Sequence, residues 1–230
     1  MKIWAISDLH LSLGGDKPMD LFGEHWGRHW EKVDANCRER VAEDDLLLLP
    51  GDHSWAMKLE EADRDLGFIS DLPGIKVLCK GNHDYWWQSV GKVRKRFPRL
   101  HFLQNDAAKI GPVALCGSRG WDLPGPDGFE DGHDEKIYRR EVERLKLSTG
   151  AMASDAQLRI ALVHYPPLTH RQPETEVTQV LEAAGIDVCV YGHLHLGGNH
   201  RPVRGLRNGV HYHLVSCDFL DFCPIQVGQC

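Results

Sequence analysis

A carboxamide, an imidazole and a carboxylate follow one another at Asn82, His83 and Asp84. They come directly after Gly81, which ends an apolar, strand-like run that begins at Ile75. Open α/β sheets bind ligands at the carboxyl ends of their parallel strands, so this position suits chemistry. The same residues could also cap a turn or the next helix, and for this segment alone capping is the simpler interpretation.

The pattern recurs at the ends of four other apolar runs, which favours chemistry over capping. Strands that each end in imidazoles or carboxylates bring these groups to one edge of a sheet, where they would form a metal site. Nitrogen and oxygen ligands without thiolates suit Mn, Fe, Zn, Ni or Co better than Mg or Ca. The polar residues at the five strand ends are Asp8 and His10; Asp52; Asn82 and His83; His164; and His193 and His195.

Counting these ligands predicts two divalent transition-metal ions rather than one. Two such ions about 3.5–4 Å apart can clamp the attacking and the leaving oxygen of an in-line displacement. Asp52 could serve both ions, because a carboxylate has two oxygens and can bridge cations. One ion would take Asp8, His10, Asp52 and either His193 or His195; the other would take Asp52, Asn82, His164 and the remaining one of that pair.

The elements that position these residues alternate between strand and helix, which predicts one layered α/β domain over residues 1–230. Helices are predicted at Trp26–Ala42, Met57–Asp71, Trp87–Phe97, Asp134–Leu147 and Glu174–Ala184. Strands are predicted at Lys2–Ser7, Leu46–Leu49, Ile75–Cys79, His101–Leu103, Pro112–Cys116, Arg159–Val163 and Asp187–Tyr191, with two more between Val210 and Val227.

The composition of the chain limits the kinds of partner that the protein could bind and the cell compartment in which we expect it. A net charge of -6 does not fit a protein that coats nucleic acid or an anionic membrane. No apolar run approaches the roughly 20 residues of a membrane span, and Met1 leads straight into a strand without a signal-peptide core. The seven cysteines form no CxxC pair, and Cys79, Cys116 and Cys189 lie in apolar runs. We therefore expect free thiols and a cytoplasmic location.

Taken in order, the five polar segments resemble the calcineurin-like metallophosphoesterase superfamily. The segments are Asp-x-His from Asp8, Gly-Asp at Asp52, Gly-Asn-His-Asp from Gly81, the single His164 and Gly-His-x-His from Gly192. The resemblance extends from Asp8 to His195 and implies a four-layer α/β/β/α sandwich with two mixed sheets. The last strands of the chain would then belong to the second sheet.

The resemblance also implies a role for each residue. A metal-bridging hydroxide would attack a phosphomonoester or phosphodiester, since two cations lower the pKa of bound water. His83 would contact the phosphate or protonate the leaving group, and Asp84 would orient His83 unless it simply caps the next helix. The first metal would take Asp8, His10, Asp52 and His195, and the second Asp52, Asn82, His164 and His193.

Substrate contacts are harder to assign from the sequence. His53 directly follows Asp52 and could approach the phosphate, although a supporting or surface role fits as well. Arg119 could anchor a phosphate or carboxylate. The loops at residues 14–30 and 117–132 could shape the walls of the site. Six tryptophans near the strand ends could stack a nucleobase, but packing of helices onto the sheet is favoured: Trp26, Trp30, Trp55, Trp86, Trp87 and Trp121.

Two alternatives stay open beside a phosphohydrolase with a phosphate-ester substrate. A DNA or RNA nuclease of the same fold is disfavoured by the acidic net charge and by the lack of an added DNA-binding domain, so nucleic acid is expected only as a nucleotide substrate. A non-catalytic metal-binding scaffold is disfavoured because every ligand position and His83 are filled.

Overall fold

The first of two mixed β-sheets carries the first three predicted strand ends. A computed structural model describes residues 1–15, 17, 19–125, 129–198 and 201–230. The sheet has the strand order β11-β1-β2-β3-β4, with β11 antiparallel to β1 and the other neighbours parallel. Its strands are β1 (Lys2–Ala5), β2 (Leu46–Pro50), β3 (Ile75–Cys79), β4 (His101–Leu103) and β11 (Ile225–Gln229).

The second sheet carries the remaining two strand ends. Its order is β5-β6-β7-β8-β10-β9, with parallel pairs from β6 to β10 and antiparallel pairs at both edges. Its strands are β5 (Ala107–Ile110), β6 (Val113–Ser118), β7 (Leu158–Val163), β8 (Val188–Tyr191), β9 (Gly205–Arg207) and β10 (Val210–Leu214).

Three apolar layers hold the sandwich together. Alternate residues of each strand point to opposite faces, so Leu48 lies between the sheets while Leu47 packs under the helices. The helices α1 (His29–Arg40), α2 (Asp63–Asp71) and α3 (Val90–Arg96) follow strands of the first sheet, and α4 (Asp134–Gly150) and α5 (Glu176–Ala183) follow strands of the second. The predicted four-layer α/β/β/α class is therefore confirmed.

The elements differ from the predicted ones mainly at their ends. α2 begins at Asp63 rather than Met57, and α3 at Val90 rather than Trp87, because the loops after β2 and β3 stay irregular to reach the site. β5 and β9 were not predicted, since each is a short edge strand without a buried residue. The last strands were expected in the second sheet. This is correct for β10 and wrong for β11, because the end of the chain returns to pair with β1 at the edge of the first sheet. Parts of both predicted wall loops lie outside the described residues.

All seven cysteines are free, and Cys79, Cys116 and Cys189 are buried, as predicted. The helices of the described residues are all too short or too polar to cross a membrane.

Candidate metal centre

The polar strand ends of the two sheets meet across the sandwich rather than along one sheet edge. The backbone N–H of His193, which follows β8, donates to both carboxylate oxygens of Asp8, which follows β1, at 3.0 and 3.1 Å. In the opposite direction, the Nδ1 of His164 after β7 lies 3.0 Å from the carbonyl oxygen of Pro50 in β2. These hydrogen bonds hold the loops of both sheets together beneath one cluster of polar side chains.

One side of this cluster contains Asp8, His10 and His195, whose ligand atoms all lie within 4.8 Å of one another. The two Nε2 atoms of His10 and His195 are 3.2 Å apart, and the Nε2 of His195 is 3.7 Å from the Oδ1 of Asp8. Ligands that bind one metal at about 2.0–2.2 Å lie about 3–3.5 Å from each other. The spacing of these three groups therefore approaches that of a single coordination sphere.

The other side is built around His164. Its Nε2 lies 2.7 Å from the Oδ1 of Asn82 and 3.4 Å from the Oδ2 of Asp52. The Nδ1 of His193 lies 3.1 Å from the same Asn82 oxygen. Asp8, Asp52 and His164 also form a group whose ligand atoms lie within 4.8 Å of one another. All seven predicted metal ligands are thus brought together.

Asp52 stands between the two sides. Its Oδ2 is 3.4 Å from the Nε2 of His164 and 3.8 Å from the Nε2 of His10. Its Oδ1 accepts the backbone N–H of His83 at 2.8 Å, which fixes the direction in which Oδ2 points.

Around His164, several hydrogen-bond acceptors face one another without a donor hydrogen between them. A carbonyl oxygen can only accept, so the Nδ1 of His164 donates to Pro50. The Nε2 of a neutral ring then presents a lone pair toward the Asn82 and Asp52 oxygens, and both of these are acceptors as well. Either a second proton on the ring or a cation between these atoms resolves the conflict. The donor set therefore fits a metal ion.

Protonation of the cluster follows burial and charge. Burial lowers the pKa of His10 and of His193 to about 3, so both rings are neutral near pH 7 and can offer lone pairs. Burial also opposes a charge on His164, but the Asp52 carboxylate outweighs it and raises the pKa of His164 to about 9. Burial raises the pKa of Asp52, and the charge of His164 reverses this and holds it well below its usual range. Without a metal ion, the positive charge beside Asp52 is therefore carried by the His164 ring.

Four residues of the cluster have left-handed backbones although none is glycine. The φ angles are 57° at Asp8, 45° at His10, 53° at Asp52 and 71° at His193. Such conformations are uncommon for residues with a Cβ and cluster at functional sites. They turn the chain sharply after β1, β2 and β8, so that side chains and backbone N–H groups both face the cluster.

His83 lies beside the cluster, but its ring does not take part in the close contacts between the predicted ligands. Its half-buried ring is 5.5 Å from the ring of His10 and 4.5 Å from the ring of Trp55. Trp55 also stacks on His10 at 4.7 Å, so it contacts both imidazoles. Of the six tryptophans, Trp86 and Trp87 are fully buried, as helix packing requires, whereas Trp55 contacts the site itself.

Asp84, for which a role in orienting His83 was predicted, contacts His53 instead. The buried Asp84 carboxylate accepts the Nδ1–H of His53 at 2.9 Å, and among the described residues none of its hydrogen bonds goes to the His83 ring. It also accepts the backbone N–H groups of Gly81 and Asp52 at 2.8 and 3.0 Å. Asp84 therefore joins the loops after β2 and β3, because a carboxylate with two oxygens can collect several donors at once.

The side chain of His53 is fully buried, which fits the supporting role left open by the sequence rather than a substrate contact. Its Nδ1 faces Asp84 at 2.9 Å and its Nε2 faces the carbonyl oxygen of Leu49 at 3.2 Å. Burial disfavours the charged ring, but Asp84 outweighs it and raises the pKa of His53. His53 and Asp84 thus form a buried ion pair beneath the cluster of polar side chains.

Arg119 does not contact the cluster directly but is connected to it through Tyr165. Its guanidinium is 3.3 Å from the buried Glu141 and 4.5 Å from the ring of Trp121. Its backbone carbonyl accepts the N–H of Tyr165, whose ring stacks on His193 at 4.1 Å. The structure thus engages Arg119 with Glu141, and a substrate contact stays a prediction.

Asp218 was missed by the sequence interpretation. Its Oδ2 lies 3.2 Å from the Nδ1 of His195, and it accepts the backbone N–H of Leu196 at 2.8 Å. It lies in a short 3-10 turn after β10, outside the five polar segments. The nearby Ser216, which bridges to Ser7, links this turn to the end of β1. Nothing in the spacing of Asp218 along the chain indicates its partner.

Comparisons with known proteins identify a family for this chain. The model of the calcineurin-like phosphoesterase family matches residues 1–197. A protein of unknown function from Aquifex aeolicus, AQ665, has a similar structure with a TM-score of 0.52 and 15% identity over 97% of this chain and 94% of its own. TT1561 from Thermus thermophilus has a TM-score of 0.49 and 15% identity over 83% and 80% of the two chains. No curated protein matched.

The chain therefore belongs to the calcineurin-like phosphoesterase family.

Proposed function

We propose that this member of the calcineurin-like phosphoesterases is a dinuclear metal-dependent phosphohydrolase that cleaves a phosphomonoester or phosphodiester. Family membership supports phosphoester hydrolysis in general, and the clustered aspartates and histidines support metal binding. When bound, the two ions would supply an activated water and would neutralise charge that develops on the phosphoryl group. The neutral-nitrogen and oxygen donors favour Mn, Fe, Zn, Ni or Co.

The observation that carries the proposal is the position of Asp52. One of its oxygens faces His10 on one side at 3.8 Å and His164 on the other at 3.4 Å. A carboxylate placed in this way can belong to two coordination spheres at once. Asp8, His10, Asp52 and His195 would hold one ion, and Asp52, Asn82, His164 and His193 would hold the other.

His83 would act on the substrate rather than on the ions. Its ring lies beside His10 and is half-buried, while its backbone N–H is tied to Asp52. The ring thus lies at the rim of the cluster, where a phosphate ester would lie. An imidazole there can bind a phosphoryl oxygen or give a proton to the departing alkoxide.

Metal removal tests the proposal. We expect the protein purified with Mn present to contain about two ions per chain by mass spectrometry of dissolved metals. It should hydrolyse p-nitrophenyl phosphate or bis-p-nitrophenyl phosphate. EDTA should abolish this activity and Mn should restore it, since the ions supply the nucleophile. Full activity of a protein shown to be metal-free would overturn the proposal. Degradation of plasmid DNA under the same conditions would favour the nuclease alternative.

A further inference from the structure

A cavity of about 260 Å³ opens beside His10 and is lined by the segment that joins β1 to α1 and by the first residues of α1. The buried side chains of Met19 and Trp26 and the half-buried Trp30 give part of its wall an apolar surface. Trp26 also lies 5.9 Å from His195, ring to ring. The cavity therefore borders the side of the cluster that contains His10 and His195, and it could receive the organic part of an ester held there.

The cationic side chain of Lys17 lies at this cavity. Its ammonium group is 3.4 Å from the ring centroid of Trp55, the same ring that stacks on His10 and contacts His83. Within the described part of the chain, no carboxylate lies within ion-pair distance of Lys17. A lysine on an aromatic face keeps its charge available to a ligand, because the ring does not neutralise it.

Among the described residues, two further charged side chains line the cavity, and neither offers a free positive charge. Arg28 also lines it, but its guanidinium is paired with Glu31. Asp20 is the one carboxylate among the described lining residues, and it opposes the attraction that Lys17 exerts on an anion. Lys17 is thus the charge through which the cavity could discriminate between an anionic and a neutral substrate.

We propose that this cavity is the subsite for the organic group of the substrate, and that this group is aromatic or apolar and bears a further negative charge. The inference rests on the proposed phosphohydrolase function. Met19, Trp26 and Trp30 would contact the body of the group, and Lys17 would bind its anionic substituent. The substrate class would thus be an anionic aryl or alkyl phosphoester.

A matched pair of esters tests the charge requirement. The esters 4-carboxyphenyl phosphate and 4-carbamoylphenyl phosphate have nearly the same shape but differ by one negative charge. We expect Lys17→Gln to lower the ratio of kcat/KM for the carboxylate ester over the carbamoyl ester by roughly tenfold, the usual effect of a hydrogen bond between charged groups. Lys17→Arg should restore most of the ratio. Asp20→Asn should raise it, since the opposing charge is removed.

Lys92→Gln is the matched control, because Lys92 is exposed on α3 and does not line the cavity. It removes the same charge and should leave the ratio of the two esters unchanged. An equal fall in Lys92→Gln would mean that net charge alone sets the preference, which would overturn the subsite. An unchanged ratio in Lys17→Gln would also overturn it. If the metal-loaded wild type hydrolyses neither ester nor p-nitrophenyl phosphate, the proposed function itself fails.

Discussion

Three of the four left-handed residues of the cluster follow strands of the first sheet, whereas each imidazole of the second sheet has a separate partner behind it. In the first sheet, Asp8, His10 and Asp52 all have positive φ angles. The backbone N–H groups of Asp52 and Gly81 are gathered by the buried carboxylate of Asp84.

The second sheet contributes three imidazoles, each of which has a partner behind it. His164 donates to the carbonyl oxygen of Pro50, His193 stacks on the ring of Tyr165, and His195 faces Asp218. We expect from this comparison that removal of Asp84, which joins two loops of the first sheet, weakens the fold more than removal of Asp218, which faces a single histidine. Substitutions in the two halves should separate these effects.

Asp52→Asn should have the largest effect, because Asp52 is the residue that links the two halves. We expect a loss of about 10⁴-fold in kcat/KM, equivalent to about 5 kcal/mol, as charge stabilisation by both ions weakens. Metal titration should show weaker binding of both ions. His193→Ala is the comparison variant, since its ring lies near one side only. Weakening of a single ion in Asp52→Asn would contradict a bridging carboxylate.

His83→Ala should lower hydrolysis by about 10³-fold while both ions stay bound, because general acid–base groups contribute on this scale and the ring is not among the acceptors of the cluster. Metal content and turnover of p-nitrophenyl phosphate measure the two quantities separately. Unchanged turnover would remove His83 from the reaction. Loss of an ion would instead make it a ligand.

Asp84→Asn should destabilise the fold by about 3 kcal/mol, because it leaves the buried His53 imidazolium without its counter-charge. Thermal unfolding should show Tm lowered by roughly 6–12 °C for a chain of this size. Asp155→Asn breaks an exposed ion pair with Lys109 and should change Tm by only a few degrees at most. Equal Tm values for the two variants would show that the buried pair does not support the first half.

Asp218→Asn should have the smallest effect, confined to the second half. We expect affinity for one of the two ions to fall about 10–100-fold, as is usual when the partner of a ligating histidine is removed. Unfolding of the metal-free protein should change less than in Asp84→Asn. If Asp218→Asn unfolds as readily as Asp84→Asn, the contrast between the halves is wrong.

Much of the cluster could be predicted because its residues end buried strands in sequence order. Asp8, Asp52 and His164 each follow a run of apolar residues, and such runs place their ends predictably. The presence of a second sheet came from the family resemblance, because the burial of β7 and β8 looks the same in one sheet or two. Family membership and the sandwich are confirmed.

The contacts of Asp84 and Asp218 could not be predicted, because they join residues that are far apart in the sequence. Asp84 is adjacent in sequence to His83 and distant from His53, yet the turns after β2 and β3 bring it to His53. The partner of His195, Asp218, is separated from it by two strands of the second sheet. Choices of this kind depend on how loops pack in three dimensions, which periodicity along the chain does not encode.

The left-handed backbones at Asp8, His10, Asp52 and His193 have a consequence for directed evolution. Non-glycine residues in this region each cost about 1–3 kcal/mol of folding free energy, and glycine at the same positions carries almost none of that cost. A library screened only for heat resistance would therefore tend to accumulate glycines there and lose the cluster. Screens that aim at a more robust protein should couple thermal selection to metal retention at every round.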